Sequence, residues 1–198
     1  GGAIDFARME AHLETVAPWV GGYLIPGTTG DGWELDEDET LRVTEFAATQ
    51  ARRRGSRLLV GVLRRTTAEV EGTLARLLDI TGVPGEEGDE TAARAWSDRG
   101  VAGFTFCTPA GGERTQEEIE AGLSALLDRG LPSAFYQLPQ VTGNEAAPET
   151  FARLAARYPR LVFFKDTSGN DRIALSPADK GGIFLVRGAE GDYARWLR

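Results

Sequence analysis

The feature that most constrains the fold is a regular alternation of short apolar runs with longer amphipathic segments. The spacing of Phe151, Leu154 and Tyr158 at i, i+3 and i+7 is typical of such a segment and predicts a helix. Strands that alternate with helices predict a parallel sheet, either doubly wound or closed into a barrel. The apolar runs that predict strands are 20–26, 57–63, 101–107, 133–138, 161–165 and 183–187.

Several predicted helices begin with side chains that cap helix N-termini. Two pairs with capping-box spacing, Asp36 with Glu39 and Thr115 with Glu118, precede apolar helical patterns. Thr66 with Glu69 has the same spacing. We further expect a helix after the N-cap Asp5, a helix starting at Pro148, short helical pieces at 92–98 and 193–197, and a Gly-rich acidic surface insertion at 81–90.

Size and charge limit the classes of partner. The chain has 198 residues, which suits one domain with a full core, and its net charge is −8. A negative chain is a poor ligand for nucleic acid or anionic membrane, so we expect neither partner. No apolar run approaches the ~20 residues of a membrane span. The single cysteine, Cys107, predicts a buried strand residue and a reducing, cytoplasmic compartment.

The stretch Leu161–Gly169 carries the strongest chemical signal. Four apolar residues predict a strand buried on both faces, with Lys165 at its end on the face of Phe163 and Leu161. An amine in apolar surroundings is costly to keep charged, and a neutral amine attacks carbonyl carbons to form a Schiff base. Lysine occurs only at Lys165 and Lys180, so surface charge alone does not explain its use here. The alternative is that Lys165 only extends into solvent at the end of the strand.

Two more polar features follow strand ends, at Thr28-Thr29 and at Tyr136. In barrels, active sites lie at the carboxyl ends of the strands and draw residues from several of them. The turn from Gly27 to Gly30 offers backbone N–H groups and two hydroxyls for a carboxylate or phosphate. A tight turn that needs glycine for positive φ explains it equally well. Without the other residues, Tyr136 is typical of a core tyrosine whose hydroxyl has a hydrogen-bond partner, and not of a proton carrier.

Other catalytic classes lack the residues they need. The only histidine is His12, in the first predicted helix, so neither a usual zinc site nor a Ser-His-Asp triad can be assembled. The glycine turn fits neither a P-loop nor the dinucleotide fingerprint. Acidic side chains such as Asp31 and Glu34 are explained by the following helix N-terminus. We therefore expect no metal and no cofactor.

Three segments together resemble the dihydrodipicolinate synthase and N-acetylneuraminate lyase family. They are Gly27–Gly32, Phe135–Gly143 and Phe164–Gly169, and their order along the chain matches. The resemblance covers nearly the whole chain. It implies a (β/α)8 TIM barrel and a class I aldolase or lyase that needs no metal. The implied substrates are pyruvate or another 2-oxo acid and an aldehyde, which the resemblance does not identify.

The resemblance also implies roles for individual residues. Lys165 would be the Schiff-base lysine and Tyr136 the proton shuttle beside it. Thr28 and Thr29 would hold the substrate carboxylate, with the Thr29 hydroxyl also touching the tyrosine. Gly188 would contribute its main chain to the site. Family members commonly form homotetramers, so the resemblance implies a homo-oligomer.

Two departures separate this chain from the family members that make dihydrodipicolinate. Those members carry two tyrosines after a Thr-Pro pair, where this chain has Ala110 and Gly111, and an arginine where it has Val141. The pyruvate half of the site matches, while the second-substrate half does not, which disfavours lysine biosynthesis as the role.

The chain is also short for a (β/α)8 barrel, which takes about 250 residues. Compared with the family, the first and eighth strands are absent. We therefore expect a single barrel domain over residues 1–198 that is truncated at both ends, from a longer natural protein. Two functional alternatives remain: a non-catalytic 2-oxo acid-binding or regulatory barrel, and a barrel that binds a phosphate ligand through the Thr28-Thr29 loop.

Overall fold

A computed structural model describes residues 3–81, 94–95, 97–191 and 194. The described helices are Phe6–Val16 (α1), Glu37–Arg54 (α2), Thr67–Thr81 (α3), Gln116–Leu127 (α4), Pro139–Thr142 (α5), Pro148–Arg157 (α6) and Arg172–Leu175 (α7). The strands are Gly22–Ile25 (β1), Arg57–Gly61 (β2), Val101–Cys107 (β3), Ser133–Gln137 (β4), Leu161–Asp166 (β5) and Phe184–Arg187 (β6). None of these helices has the length and apolar composition that crossing a membrane requires.

The predicted alternation of strands and helices is confirmed, and each predicted strand overlaps an observed one. The capping boxes of Asp36 with Glu39 and of Thr115 with Glu118 are confirmed as well, because Asp36 and Thr115 accept the backbone N–H groups of Glu39 and Glu118. Asp5 caps α1 through the N–H of Arg8. Most of the expected insertion at 81–90, part of the piece at 92–98 and nearly all of the piece at 193–197 lie outside the described residues.

The chain divides into two compact units. The first contains the described residues up to Leu63 and from Glu69 to Thr105. Its strands β1 and β2 and the part of β3 up to Thr105 run parallel, with β2 hydrogen-bonded to both neighbours. Helix α2 packs on β1 and β2. The buried side chains of Val60, Leu74 and Phe104 belong to the apolar core of this unit.

The second unit contains residues 64–68 and the described chain from Phe106 onward. Strands β4, β5 and β6 run parallel in sequential order, and β5 pairs with both others. Three aromatic rings lie at the centre of its core: the centroid of Phe164 is 4.8 Å from that of Phe151 and 5.2 Å from that of Phe135. Apolar residues of α4 and α6 complete this core.

A β-bulge at the start of β5 corrects two expectations about Leu161–Lys165. Successive residues Ser133 and Ala134 of β4 pair with Leu161 and Phe163, so Val162 is an extra residue in β5. Side chains no longer alternate across the bulge, and Leu161 joins Phe164 in the core instead of facing the side of Lys165. Val162 is 48% exposed, so the strand is not buried on both faces as predicted.

Candidate active site

Lys165 and Tyr136 lie side by side on neighbouring strands of the second unit. The two residues are register partners across β4 and β5, and Lys165 is in turn the partner of Val186 on β6. The Nζ atom of Lys165 lies 4.1 Å from the centroid of the Tyr136 ring. Tyr136 is 2% exposed and Lys165 is half-buried. The structure therefore brings together two of the residues that the sequence singled out.

Gly188 makes room for the lysine. Its N–H donates to the carbonyl of Asp166 over 2.6 Å, which brings the start of the loop after β6 against the end of β5. A Cβ atom at this position would lie 2.2 Å from Thr167 Oγ1 and 2.9 Å from Lys165 Cε. A side chain at position 188 would therefore collide with Thr167 first and also crowd the stem of Lys165.

Thr28 and Thr29 lie in the first unit, in a 3-10 turn that spans Thr28–Gly30. The Thr28 hydroxyl accepts a hydrogen bond from the Trp33 indole over 3.1 Å, and Thr29 is exposed. The N–H groups of Gly30 and Gly32 both donate to the Gly27 carbonyl. The N–H groups of Gly30 and Gly32 are therefore engaged inside this segment. The use of the turn as a cradle for an anion stays a prediction.

The alternative reading of this turn needs correction. Gly27 has a φ of −124°, and the residue in the left-handed region is Asp31, at 56°. Gly32 is needed for a different reason, since a Cβ there would lie 2.8 Å from the Gly27 carbonyl oxygen. Close backbone approach therefore explains the glycine at position 32, and Gly27, Gly30 and Gly32 all have φ outside the left-handed region.

The carboxyl group of Asp166 is buried behind the lysine. Asp166 is 3% exposed, and its Oδ1 accepts the N–H of Ser168 over 2.8 Å. Burial raises the pKa of this carboxyl, the charges of Asp171 and Glu145 raise it further, and the hydrogen bonds from Ser168 lower it. The sequence did not reveal this residue, because an aspartate at a strand end usually marks a solvated turn.

Cys107, the last residue of β3, is buried as predicted. Burial raises the pKa of its thiol, and the positive charge of Lys165 acts in the opposite direction. The thiol is thus held in its neutral form in the same region of the second unit as the lysine.

Asn144 joins the loops that follow β3 and β4. Its amide donates to the carbonyls of Pro109, over 2.8 Å, and Gly111, over 2.9 Å. The N–H of Gly111 donates to the Thr142 carbonyl over 2.8 Å. The loop with Ala110 and Gly111, where the sequence departs from the resembled synthases, is therefore an ordered part of the second unit. Sequence reasoning missed Asn144, which only its place after Gly143 could have suggested.

Comparison with known proteins agrees with this geometry. A model of the Dihydrodipicolinate synthetase family matches residues 59–180, which is more than half of the chain. The chain belongs to the Dihydrodipicolinate synthetase family. A curated family relative, the 4-hydroxy-tetrahydrodipicolinate synthase of Trichlorobacter lovleyi, is 30% identical over 171 residues, a match that covers 85% of this chain and 52% of the relative. The chain thus spans about half the length of the curated relatives it matches.

Solved structures show the same fold. A dihydrodipicolinate synthase from Acinetobacter baumannii, solved with pyruvate, has a TM-score of 0.73 at 24% identity, covering 94% of this chain and 58% of its own. The 2-keto 3-deoxygluconate aldolase of Picrophilus torridus has a TM-score of 0.70 at 18% identity, covering 94% of this chain and 61% of its own. The parallel α/β fold of the Dihydrodipicolinate synthetase family is therefore shared by enzymes with different names.

Proposed function

We propose that this protein is a class I aldolase or lyase that forms a Schiff base between Lys165 and pyruvate or another 2-oxo acid. The observation that carries the proposal is the position of the Lys165 amine, 4.1 Å from the ring centroid of the buried Tyr136. Family membership supports it. A primary amine beside a phenol supplies the two groups that this chemistry needs, a nucleophile and a proton carrier.

The reaction begins when the neutral amine of Lys165 attacks the 2-carbonyl carbon and forms a carbinolamine. Tyr136 donates a proton to the carbinolamine oxygen, which leaves as water, and an iminium remains. The iminium withdraws electrons, so C3 loses a proton to the tyrosinate and becomes an enamine. The enamine carbon attacks the aldehyde carbon, whose oxygen takes a proton from Tyr136. Water then hydrolyses the iminium, which frees the amine and returns a proton to the tyrosinate. Proton transfer of this kind contributes about 10²–10⁴-fold.

The remaining groups bind the substrate. We assign Thr28 and Thr29 to the substrate carboxylate, with the Thr29 hydroxyl contacting the tyrosine, as the family resemblance implies. Gly188 leaves the space through which the lysine reaches the carbonyl carbon. Pyruvate is the preferred 2-oxo acid, because related structures were solved with it. The closed eight-stranded barrel, the homo-oligomer and the cytoplasmic location remain part of the proposal.

The second substrate is left as an aldehyde. Ala110, Gly111 and Val141 stand where the resembled synthases carry two tyrosines and an arginine, so the proposal does not include dihydrodipicolinate synthesis. A non-catalytic barrel that binds a 2-oxo acid is the alternative, and the same departures favour it.

Borohydride trapping tests the proposal. We expect incubation with pyruvate and borohydride to add one reduced pyruvate to Lys165, as located by peptide mass spectrometry. Lys165→Arg, which keeps the charge, abolishes the adduct, and the matched control Lys180→Arg keeps it. Tyr136→Phe slows trapping, because the carbinolamine loses its proton donor. Pyruvate binding without an adduct would support the non-catalytic alternative, and an adduct elsewhere would refute the assignment of Lys165.

A further inference from the structure

A row of polar side chains lies directly behind the lysine and tyrosine. Gln137 on β4, Asp166 on β5 and Arg187 on β6 are successive register partners. Each follows a member of the row Tyr136, Lys165 and Val186, so alternation places the polar row on the opposite face of the strands. Gln137 is 1% and Asp166 3% exposed, and the side chain of Arg187 is 14% exposed.

Each member of the polar row binds the loop that follows a strand. Gln137 Oε1 accepts the N–H of Ala146, after β4, over 3.0 Å. Asp166 Oδ1 accepts the N–H of Ser168, after β5, over 2.8 Å.

The row continues to the loop that follows β6. The Arg187 guanidinium donates to Asp171 Oδ1 over 3.0 Å and to the carbonyls of Ala189 and Gly191. The loops that surround Lys165 in the second unit are therefore attached to one buried row.

The centre of the row contains two buried atoms of opposite hydrogen-bonding character. Gln137 Nε2, a donor, and Asp166 Oδ2, an acceptor, are both buried and lack a hydrogen-bond partner within the part of the chain described. Their orientation is fixed, because Oε1 of the glutamine and Oδ1 of the aspartate are each held by a backbone N–H. Register pairing places the two residues next to each other on one face. A buried donor or acceptor without a hydrogen-bond partner destabilises the folded state, so a donor next to an acceptor is favoured over two donors or two acceptors.

We infer that Gln137 and Asp166 act as a donor–acceptor pair of positioning residues that holds Lys165 in its reactive orientation. Backbone bonds and hydrogen bonds connect the pair to the surroundings of Lys165. Asp166 adjoins Lys165, and its carbonyl accepts the N–H of Gly188, beside which the lysine stem passes. The Gln137 carbonyl accepts the N–H of Thr167 over 3.0 Å. A change in the pair therefore moves Asp166, which adjoins the lysine, and Gly188, beside which the lysine stem passes. A misplacement of about 1 Å at a reacting group costs about 10²-fold in rate.

A swap of donor and acceptor tests the pair on the full chain. Asp166→Asn places an amide donor against the donor of Gln137, and Gln137→Glu places a carboxylate against that of Asp166. The double variant Gln137→Glu/Asp166→Asn restores one donor and one acceptor in reversed order. Asp179→Asn is the matched control, since this exposed carboxylate also accepts the N–H of the residue two positions later, at 2.9 Å.

The measurements are the borohydride trapping rate as a function of pyruvate concentration and the hydrogen exchange of the Ser168 and Ala146 amides. We expect each single variant to trap at least about tenfold more slowly at saturating pyruvate. The half-saturating concentration changes less. The double variant returns toward the wild-type rate, and Asp179→Asn traps like the wild type. Single variants that trap at the wild-type rate, or a double variant no faster than the singles, overturn the inference.

The role in trapping depends on the proposed function, and amide exchange separates the two. If the wild type forms no adduct, the proposed function fails, and the pair is judged by exchange alone. Faster exchange in the single variants that the double variant reverses then supports the pair, and unchanged exchange refutes it. Should a single variant fail to fold, a folded double variant supports the pair and an unfolded one refutes it.

Discussion

At the scale of single residues, the side chain of Lys165 lies between the Tyr136 ring and Gly188, and both neighbours are specific in their chemistry. The tyrosine places its ring against the amine, while the glycine contributes only the absence of a side chain. Gly188 does not have its φ in the left-handed region, so alanine can adopt its backbone conformation. A substitution there therefore tests space alone.

We predict that Gly188→Ala reduces pyruvate trapping at Lys165 by about 10²-fold, because the new methyl group lies 2.2 Å from Thr167 Oγ1 and 2.9 Å from Lys165 Cε and forces both side chains to move. Overpacking also costs about 1–3 kcal/mol of the free energy of unfolding. Trapping kinetics and urea unfolding measure the two effects. Gly191→Ala is the control, since no described atom lies within 4 Å of its Cβ position. Equal trapping by both variants would refute the steric argument.

At the scale of helices and strands, the core of the second unit depends on the contact of α6 with β4 and β5. Phe151 of α6 packs its ring against Phe164 and Phe135, and all three side chains are nearly fully buried. The strands that carry Lys165 and Tyr136 on one face carry Phe164 and Phe135 on the other. The core therefore supports the candidate site from behind.

Truncation of Phe151 tests this support. Phe151→Ala should lower the free energy of unfolding by about 3–5 kcal/mol, because it removes a buried ring and leaves a cavity. Denaturant unfolding followed by tryptophan fluorescence measures the loss. Phe184→Ala is the matched control: this ring is 65% exposed, so its truncation costs much less. A similar loss in both variants would contradict the assignment of Phe151 to the core.

Sequence reasoning predicted elements better than the side-chain contacts between them. The limits of β3 were predicted to the residue, because an apolar run is bounded by Gly100 and the Thr108-Pro109 turn. The sequence placed Lys165 and Tyr136 at the carboxyl ends of parallel strands, and the family resemblance implied that they lie side by side. The bulge at Val162 was not predictable, since an extra residue changes neither composition nor hydropathy. Nor was the pairing of Gln137 with Asp166, which depends on register between distant segments.

At the scale of the whole molecule, the net charge is −8, and Asp166 differs from most carboxylates of the described residues by its burial. Its raised pKa means that the folded state binds a proton more tightly than the unfolded chain does. Above a pH near 3.8, the ordinary pKa of an aspartate, the Asp166 carboxyl therefore keeps its proton more often in the folded state than in the unfolded chain. The contribution of Asp166 to stability is then greatest below that pH and declines as the pH rises above it.

We predict that the stability difference between the wild type and Asp166→Asn shifts against the wild type as the pH rises above 3.8. Urea unfolding at a series of pH values measures this difference. Glu117→Gln is a control of opposite sign, because hydrogen bonds from its own backbone N–H and from Thr115 lower the pKa of Glu117. There the difference shifts toward the wild type as the pH rises. The same trend in both variants would refute the burial argument.

The extra residue in β5 also limits how this strand can vary in length. Because the extra residue Val162 allows Leu161 to enter the core while Lys165 lies on the side of Tyr136, the number of residues from the bulge to the lysine is fixed. Loss of one residue between Val162 and Lys165 would therefore turn the Lys165 amine away from the Tyr136 ring.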